Sequence, residues 1–337
     1  MPSITHQVAR CLDQVTLTKE EIEEYKVEHD TDSVKKDLRP GGDPTKLLPN
    51  ILGIGTAKTY FRSGKVFFER AKELSGENML GMLLTRDVIM DTFDAYYASA
   101  ASGTASKIQA AIKHIFAGAV LLGWVHGKCP IDNDLRERNS DHVLKHRYGY
   151  FPEDAIRIIE YLSVHSRAFC LPAEIALKCG LRENEISGLK VSDVHCQEKF
   201  LQLKGKGGKS RPVPIPTSLL EKLSLIRTPN YYFTPSESWC ANFRNTVQKA
   251  CMAVGIDGSG VHRLRATYAQ LQYTKLRMAG MNDRQARLAV SKLLGHNRID
   301  VTYAYIPREF NWEEYVPFVE QEADEDQRMD LSKERQI

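Results

Sequence analysis

Arg182, Lys206, His262, Arg265, His296 and Tyr305 are of the residue types that handle a phosphodiester. A phosphodiester under attack spreads negative charge over its non-bridging oxygens. Fixed guanidinium, ammonium and imidazole groups stabilise that charge without a metal. A tyrosine beside them can attack phosphorus and hold it covalently. The phenol, with an ordinary pKa of ~10, needs help at neutral pH. Surrounding cations lower the cost of the phenolate, and His262 could accept or relay its proton.

Each residue sits in a short motif. In CGLRENEISGL, Arg182 and Glu185 stand at i, i+3 on one helix face; alone, the pair reads equally well as a surface ion pair. In VHRLRATYA, His262 and Arg265 share a face. That leaves Leu264 and Tyr268 for a core, and Arg263 for the surface or a DNA backbone. KGKGGKS suggests a phosphate loop, but a Walker A loop needs Gly five positions before Gly208, and position 203 is Leu. The RPVPIP that follows Ser210 cannot open a helix. A hairpin whose turn carries Lys206 into a groove fits better, with Lys204 and Lys209 as competitors and a solvated basic turn as the plain alternative. LLGHNRIDVTYAYI places Tyr305 nine residues after His296. On a helix Tyr303 would face about 200° away from Tyr305, which assigns Tyr303 to the core or to support.

The elements needed to position these groups are mostly helical. Residues 1–45 read as a polar N-terminal extension with a helix around Thr18–Glu28, and RPGGDP (Arg39–Pro44) reads as a break. Residues 46–131 read as a helical domain, in which Tyr60, Val66, Phe67 and Leu74 form one stripe. The apolar run Ile115–Val125 is too short to span a bilayer and is expected to be a buried helix. A charged stretch, 132–149, suits a linker. From 150 to 319 the pattern mixes helices with two strands around the Gly-rich turn, the last helices falling near 236–254, 262–277, 283–294 and 299–316. Trp312, Tyr315 and Phe318 would make an apolar edge. Residues 320–337 read as an acidic, disordered tail.

Composition fits this division. Of 337 residues, 42% are hydrophobic and 26% charged, which is ordinary for a globular chain. Residues 1–45 carry 6 basic and 10 acidic side chains, and residues 306–337 carry 4 and 10. The remaining 46–305 hold 36 basic and 23 acidic residues, a net +13 suited to a polyanion. Seven cysteines without a CxxC point to free thiols in a reducing cytoplasm and away from zinc. The N-terminus lacks the apolar stretch of a signal peptide. Lys107, Lys113, Lys190 and Arg211 are candidate DNA contacts.

The order Arg, Lys, His-x-x-Arg, His, Tyr, set in GLRENEISGL, GKGGKSR, HRLRATYA and LLGH, resembles the tyrosine recombinase (phage integrase) family of Xer/Cre-like site-specific recombinases. The resemblance covers about 150–310, is weaker over 53–130, and does not reach either end. It implies a mostly α fold with a small β-sheet (α+β). A helical, SAM-like core-binding domain would join a catalytic domain of the DNA breaking-rejoining fold, closing as a C-shaped clamp on duplex DNA. It further implies that Tyr305 forms a 3′-phosphotyrosyl link and that Arg182, Arg265 and His296 hold the phosphate oxygens. Lys206 would protonate the leaving 5′ oxygen, His262 would move a proton, and Glu185 would support the site. The family uses no cofactor and no metal. It works as a homotetramer on two recombination sites, a dimer per site, through a Holliday junction; the N-terminal extension could meet an accessory protein. Integration, excision and resolution of a mobile element remain open, as does whether the C-terminal segment docks on a neighbouring protomer or on its own domain. One departure is the long stretch QYTKLRMAGMNDRQARLAV before LLGH, which suggests an added turn or loop. The rival readings are a type IB topoisomerase-like enzyme and a DNA-binding protein without catalysis. The expected setting is cytoplasmic, at the nucleoid during action.

Overall fold

The computed structural model describes residues 2–16, 54–131, 148–204, 210–257, 260–296 and 299–321. The architecture is mostly helical with one small sheet, and the chain divides into two compact units, 1–144 and 145–337. The helix expected around Thr18–Glu28, most of the 132–149 stretch and most of the acidic tail lie outside the described residues.

The first unit contains α1 (Ile4–Asp13), α2 (Ile54–Ser75), α3 (Leu80–Leu83), α4 (Arg86–Tyr97) and α5 (Ser102–Leu121). Residues 2–16, which the sequence pattern places in a polar extension, form part of this core instead. Ser3 caps α1 by accepting the His6 N–H at 3.2 Å. Ile4, Val8, Cys11 and Leu12 repeat at helical spacing and are buried. The helix packs on α2 and α5. At Gly118 of α5 the approach is so close that an added Cβ would stand 1.9 Å from the Cys11 carbonyl oxygen. Buried Gln7 donates to the Pro2 and Asn78 carbonyls at 3.0 and 2.9 Å and accepts the Leu80 N–H at 2.8 Å, satisfying the start of α3. In α2 the buried stripe is Gly64, Phe67, Phe68 and Ala71, while Val66 and Leu74 are exposed. The expected stripe is therefore rotated, because Gly64 supplies the close-packing position against Ile115.

The second unit opens with α6 (Pro152–His165), α7 (Arg167–Cys179) and α8 (Glu183–Ser187). A three-stranded antiparallel sheet follows: β1 (Val194–His195), β2 (Phe200–Lys204) and β3 (Ser210–Pro214), in the order β1-β2-β3. The β2–β3 register runs from Phe200 opposite Pro214 to Lys204 opposite Ser210. Leu201, Leu203 and Val213 face the core. Pro212 is tolerated because β3 is an edge strand. Then come α9 (Thr217–Ser224), α10 (Glu237–Ala253), α11 (Val261–Met278), α12 (Asp283–Leu293) and α13 (Ile299–Thr302). Helix α11 is the spine: it touches α6, α7, α10 and α12, and residues 264–271 are all buried.

Two expectations change here. The long stretch before LLGH contains no added loop beyond the turn 279–282; α11 simply runs to Met278, and Asn282 caps α12 by accepting the Gln285 N–H at 3.0 Å. The helix expected over 299–316 breaks after Thr302, so Tyr303 and Tyr305 lie in a turn. Pro307 accounts for this, since it has no N–H to donate and its ring would clash with the carbonyl four residues back, that of Tyr303. Beyond a 3-10 turn at Trp312–Tyr315, the Tyr315 and Phe318 rings meet Phe151 edge-on at 5.3 and 5.4 Å, packing on their own unit. Among the described residues no helix is long and apolar enough to cross a membrane.

Candidate active site

Gly180 turns the chain into the site. Its φ of 63° ends α7 in the left-handed region, and an added Cβ would stand 2.2 Å from the Tyr268 ring. The turn buries Leu181 and delivers Arg182 just before α8. Glu185 accepts the Arg182 backbone N–H at 2.8 Å and its guanidinium at 2.9 Å. Arg211 of β3 donates to both oxygens of the same carboxylate, at 2.9 and 3.1 Å, and Arg265 lies 3.7 Å from it. Burial alone would raise the Glu185 pKa, but the bonds from Arg211 and Arg182 and the neighbouring charges hold it below its ordinary value.

The LLGH segment closes α12. Gly295 has φ 71°, and its N–H and that of His296 each bond back into the helix at 2.9 Å. The Leu294 carbonyl accepts from Arg265 Nη2 at 2.7 Å and from Arg182 Nη2 at 3.4 Å. Carbonyls at a helix C-terminus attract cations, which helps gather two guanidiniums here. His296 Nε2 lies 3.2 Å from Arg182 Nη2 and 3.4 Å from Arg265 Nη2. Nδ1 is 3.4 Å from the same Arg182 Nη2, so both ring nitrogens face that guanidinium. Burial, then the charges of Arg182, Arg265 and Arg211, pull the imidazole down to about 4, and it is neutral at pH 7.

Arg265 is fully buried, donating to the Gly180 and Leu294 carbonyls. Burial first and Arg182 second pull it down to about 10, so it stays charged at neutral pH. Its Nε has no hydrogen-bond partner among the described residues. Tyr305 is 5% exposed. Its hydroxyl sits 3.0 Å from His262 Nε2, and its ring centroid lies 5.9 Å from that of His296.

Arg182, Glu185, His262, Arg265, His296 and Tyr305 thus meet in one place. Lys206 lies outside the described residues; Lys204 and Ser210, the nearest described residues on either side, line the same groove as Arg182 and His296. Lys190 is exposed at that groove, its ammonium 5.4 Å from the Tyr231 ring centroid. Lys107 is exposed and Lys113 half-buried on α5. Arg211, a candidate DNA contact from the sequence, is turned inward onto Glu185 and the Leu293 carbonyl (3.2 Å), which makes it part of the scaffold. Arg263 stacks on Tyr150 at 4.4 Å and donates to the Tyr148 carbonyl at 2.9 Å, tying down the segment before α6. Two residues escaped the sequence reading: Gln270, whose side chain holds the Tyr305 carbonyl at 3.0 Å, and buried Arg287. Arg287 does carry a signal, an arginine three residues before Val290 on the apolar stripe of α12.

Residues 153–311 match the phage integrase family. Over 181 residues the chain is 30% identical to a tyrosine recombinase of Pseudothermotoga lettingae, covering 51% of this chain and 58% of that protein. It is 29% identical over 143 residues to tyrosine recombinase XerC of Corynebacterium glutamicum, covering 39% and 44%. The chain therefore spans about half the length of these curated relatives. The XerH site-specific recombinase bound to palindromic difH substrate matches with a TM-score of 0.58 at 18% identity, over 90% of each chain. A lambda integrase dimer bound to a COC′ core site matches at 0.55 and 16%, over 83% of this chain and 96% of that one. At such identities the likeness speaks for the fold. The second unit thus shares its fold with these recombinase structures, and residues 153–311 within it match the phage integrase family.

Proposed function

We propose that the protein is a site-specific recombinase that cuts and rejoins duplex DNA through Tyr305. The phenol oxygen attacks the scissile phosphorus and passes its proton to His262, 3.0 Å away. A 3′-phosphotyrosyl bond forms as the phosphorus–5′-oxygen bond breaks. Lys206 protonates the departing 5′ oxygen. Arg182, Arg265 and neutral His296 hold the non-bridging oxygens. Three guanidiniums share the one carboxylate of Glu185, and the surplus positive charge suits a phosphate. The unpartnered Nε of Arg265 is a donor that a phosphate oxygen would satisfy. The reverse attack by a 5′-hydroxyl of a second duplex gives strand exchange through a Holliday junction, with two DNA sites bridged by a tetramer. The helical first unit, with Lys107 and Lys113, is assigned to DNA binding, and integration, excision or resolution of a mobile element is the biological setting.

The observation that carries this reading is the convergence of two guanidiniums, a neutral imidazole and a phenol already bonded to a base. The test is covalent capture from a pool of nicked duplexes with a randomised central segment, in which the cleaved 5′ fragment diffuses away. Wild-type protein should form a covalent band and select a site, whereas Tyr305→Phe should bind the selected duplex and form none. Binding without any adduct would leave a DNA-binding protein. Adducts and relaxation, without joined products from two sites, would leave a type IB topoisomerase-like activity.

A further inference from the structure

Three consecutive main-chain carbonyls beginning at Tyr305 are each held by a buried side chain. Gln270 Nε2 donates to the Tyr305 carbonyl at 3.0 Å. Arg287 Nη1 and Nη2 donate to the Ile306 and Pro307 carbonyls at 2.5 and 3.0 Å. Arg287 Nε donates to Asp283 at 2.8 Å. The guanidinium lies over the Tyr303 ring at 4.5 Å and the Tyr273 ring at 5.3 Å. The Tyr273 hydroxyl in turn donates to Asp283 at 2.6 Å. Every donor-bearing nitrogen of Arg287 is therefore committed to Asp283 or to the segment that carries Tyr305.

Stability alone does not account for this arrangement. Arg287 is 2% exposed, while its carboxylate partner Asp283 is 49% exposed. A buried cation paired with a half-exposed anion gains little, and an apolar residue of similar volume often does as well or better. What an arginine supplies that Leu or Met cannot is direction: two fixed donors that set the height and rotation of two successive peptide units. Those units adjoin the residue whose hydroxyl must approach phosphorus in line, and an offset of about 1 Å there can cost on the order of 100-fold in rate.

We propose that Arg287 and Gln270 are positioning residues that clamp the turn carrying Tyr305 and so set the reach of its hydroxyl. The proposal rests on the reading of Tyr305 as the nucleophile. The clamp comes from α11 and α12 of the same chain, so the attacking residue is registered in cis.

The test uses the full chain and a captured nicked duplex in two forms, one with the natural bridging 5′ oxygen and one with sulfur in its place. A thiolate leaves without a proton, so the sulfur duplex hides defects in leaving-group protonation and exposes defects in attack. The readings are the first-order rate of adduct formation at saturating protein and the protein concentration giving half that rate. Arg287→Met should slow adduct formation about 30- to 100-fold on both duplexes, with the half-saturating concentration within about twofold of wild type. Arg287→Lys, which restores one donor, should recover part of the loss. Tyr303→Leu removes only the stacked plate from a half-buried site and should slow both duplexes by about 3- to 10-fold. A wild-type rate for Arg287→Met, a defect confined to the oxygen duplex, or a loss seen only as a higher half-saturating concentration would each overturn the clamp. If circular dichroism shows Arg287→Met unfolded, Tyr303→Leu and Gln270→Met decide by the same readings. No adduct from wild-type protein would overturn the nucleophile reading itself, and the clamp with it.

Discussion

Replacing Glu185 with glutamine tests whether the site is held open by electrostatic compensation. The carboxylate takes Arg182 through its backbone and side chain, both Nη atoms of Arg211, and lies 3.7 Å from Arg265. Its side chain is 11% exposed. Removing one partner from a buried ionic cluster costs about 3–5 kcal/mol, because the other charges stay buried and uncompensated. A glutamine carbonyl keeps one acceptor, which puts the expected loss near 3 kcal/mol. For a unit of this size each kcal/mol moves the melting temperature by about 2–4 °C, so Glu185→Gln should melt about 6–12 °C below wild type at pH 7. Sulfate should narrow the gap, because an oxyanion then replaces the missing charge among three guanidiniums. The sign with pH follows from linkage. The Glu185 carboxyl is held below its ordinary value, so its contribution is complete above that value and is lost as pH falls through the lower folded one. The gap between variant and wild type should therefore close below about pH 4. Thermal melts with and without sulfate, from pH 7 to pH 3, provide the check. A variant within 2 °C of wild type at low salt (about 1 kcal/mol), or equal stabilisation of both proteins by sulfate, refutes the compensation argument.

His296 gives a second pH signature. Its folded value is held at about 4, so the unfolded chain takes the proton first as pH falls from about 6.5, and wild type loses stability across that window. His296→Gln should flatten the melting-temperature curve between pH 6.5 and 4, and parallel curves would deny that the imidazole is held neutral. Gly118→Ala should destabilise the first unit by about 1–3 kcal/mol or more, since the added Cβ meets backbone rather than a movable side chain; an unchanged urea midpoint would contradict the packing of α1 on α5. Tyr150→Phe removes the hydroxyl that accepts the Gly260 N–H at 3.1 Å and meets the Gly260 carbonyl at 3.2 Å. With a buried N–H then unsatisfied, the urea midpoint should fall by the equivalent of about 1–3 kcal/mol, and no change would place Gly260 in contact with water.

The convergence of these side chains was legible because each motif is local. An i, i+3 pair such as His262 and Arg265, or a glycine before His296, keeps its meaning without any knowledge of the tertiary fold. What stayed hidden depends on distant partners. Arg211 looked like a free basic residue because Glu185 lies 26 positions away across a strand. Helix α1 looked like a polar extension because its apolar face, only Ile4, Val8, Cys11 and Leu12, needs α2 and α5 to bury it. The stripe in α2 was misjudged by one helical position because a glycine, invisible to hydrophobic patterning, marks the contact side. The helix drawn through Tyr303 and Tyr305 ignored Pro307. The two rings part company all the same, Tyr303 to Arg287 and Tyr305 to His262, but a turn separates them rather than helical geometry.

The two arginines that bracket His296 are held in different ways, and the difference follows from burial. Arg265 has no exposed surface, and its Nη atoms are fixed by the Gly180 and Leu294 carbonyls, both set in place by glycine-dependent helix ends. Those partners are neutral dipoles that stay where they are when charge develops nearby, so in the proposed reaction this guanidinium would need little reorganisation. Arg182 is 34% exposed at the groove, and beside a long contact to the same Leu294 carbonyl it meets a carboxylate it shares with Arg211 and a neutral imidazole. Arg211 already satisfies both oxygens of that carboxylate, so Arg182 can turn toward a phosphate without stranding Glu185. One guanidinium therefore acts as a fixed floor and the other as a movable side wall. On the proposed reading, that division lets a site with three buried or half-buried positive charges remain folded before a phosphate is bound.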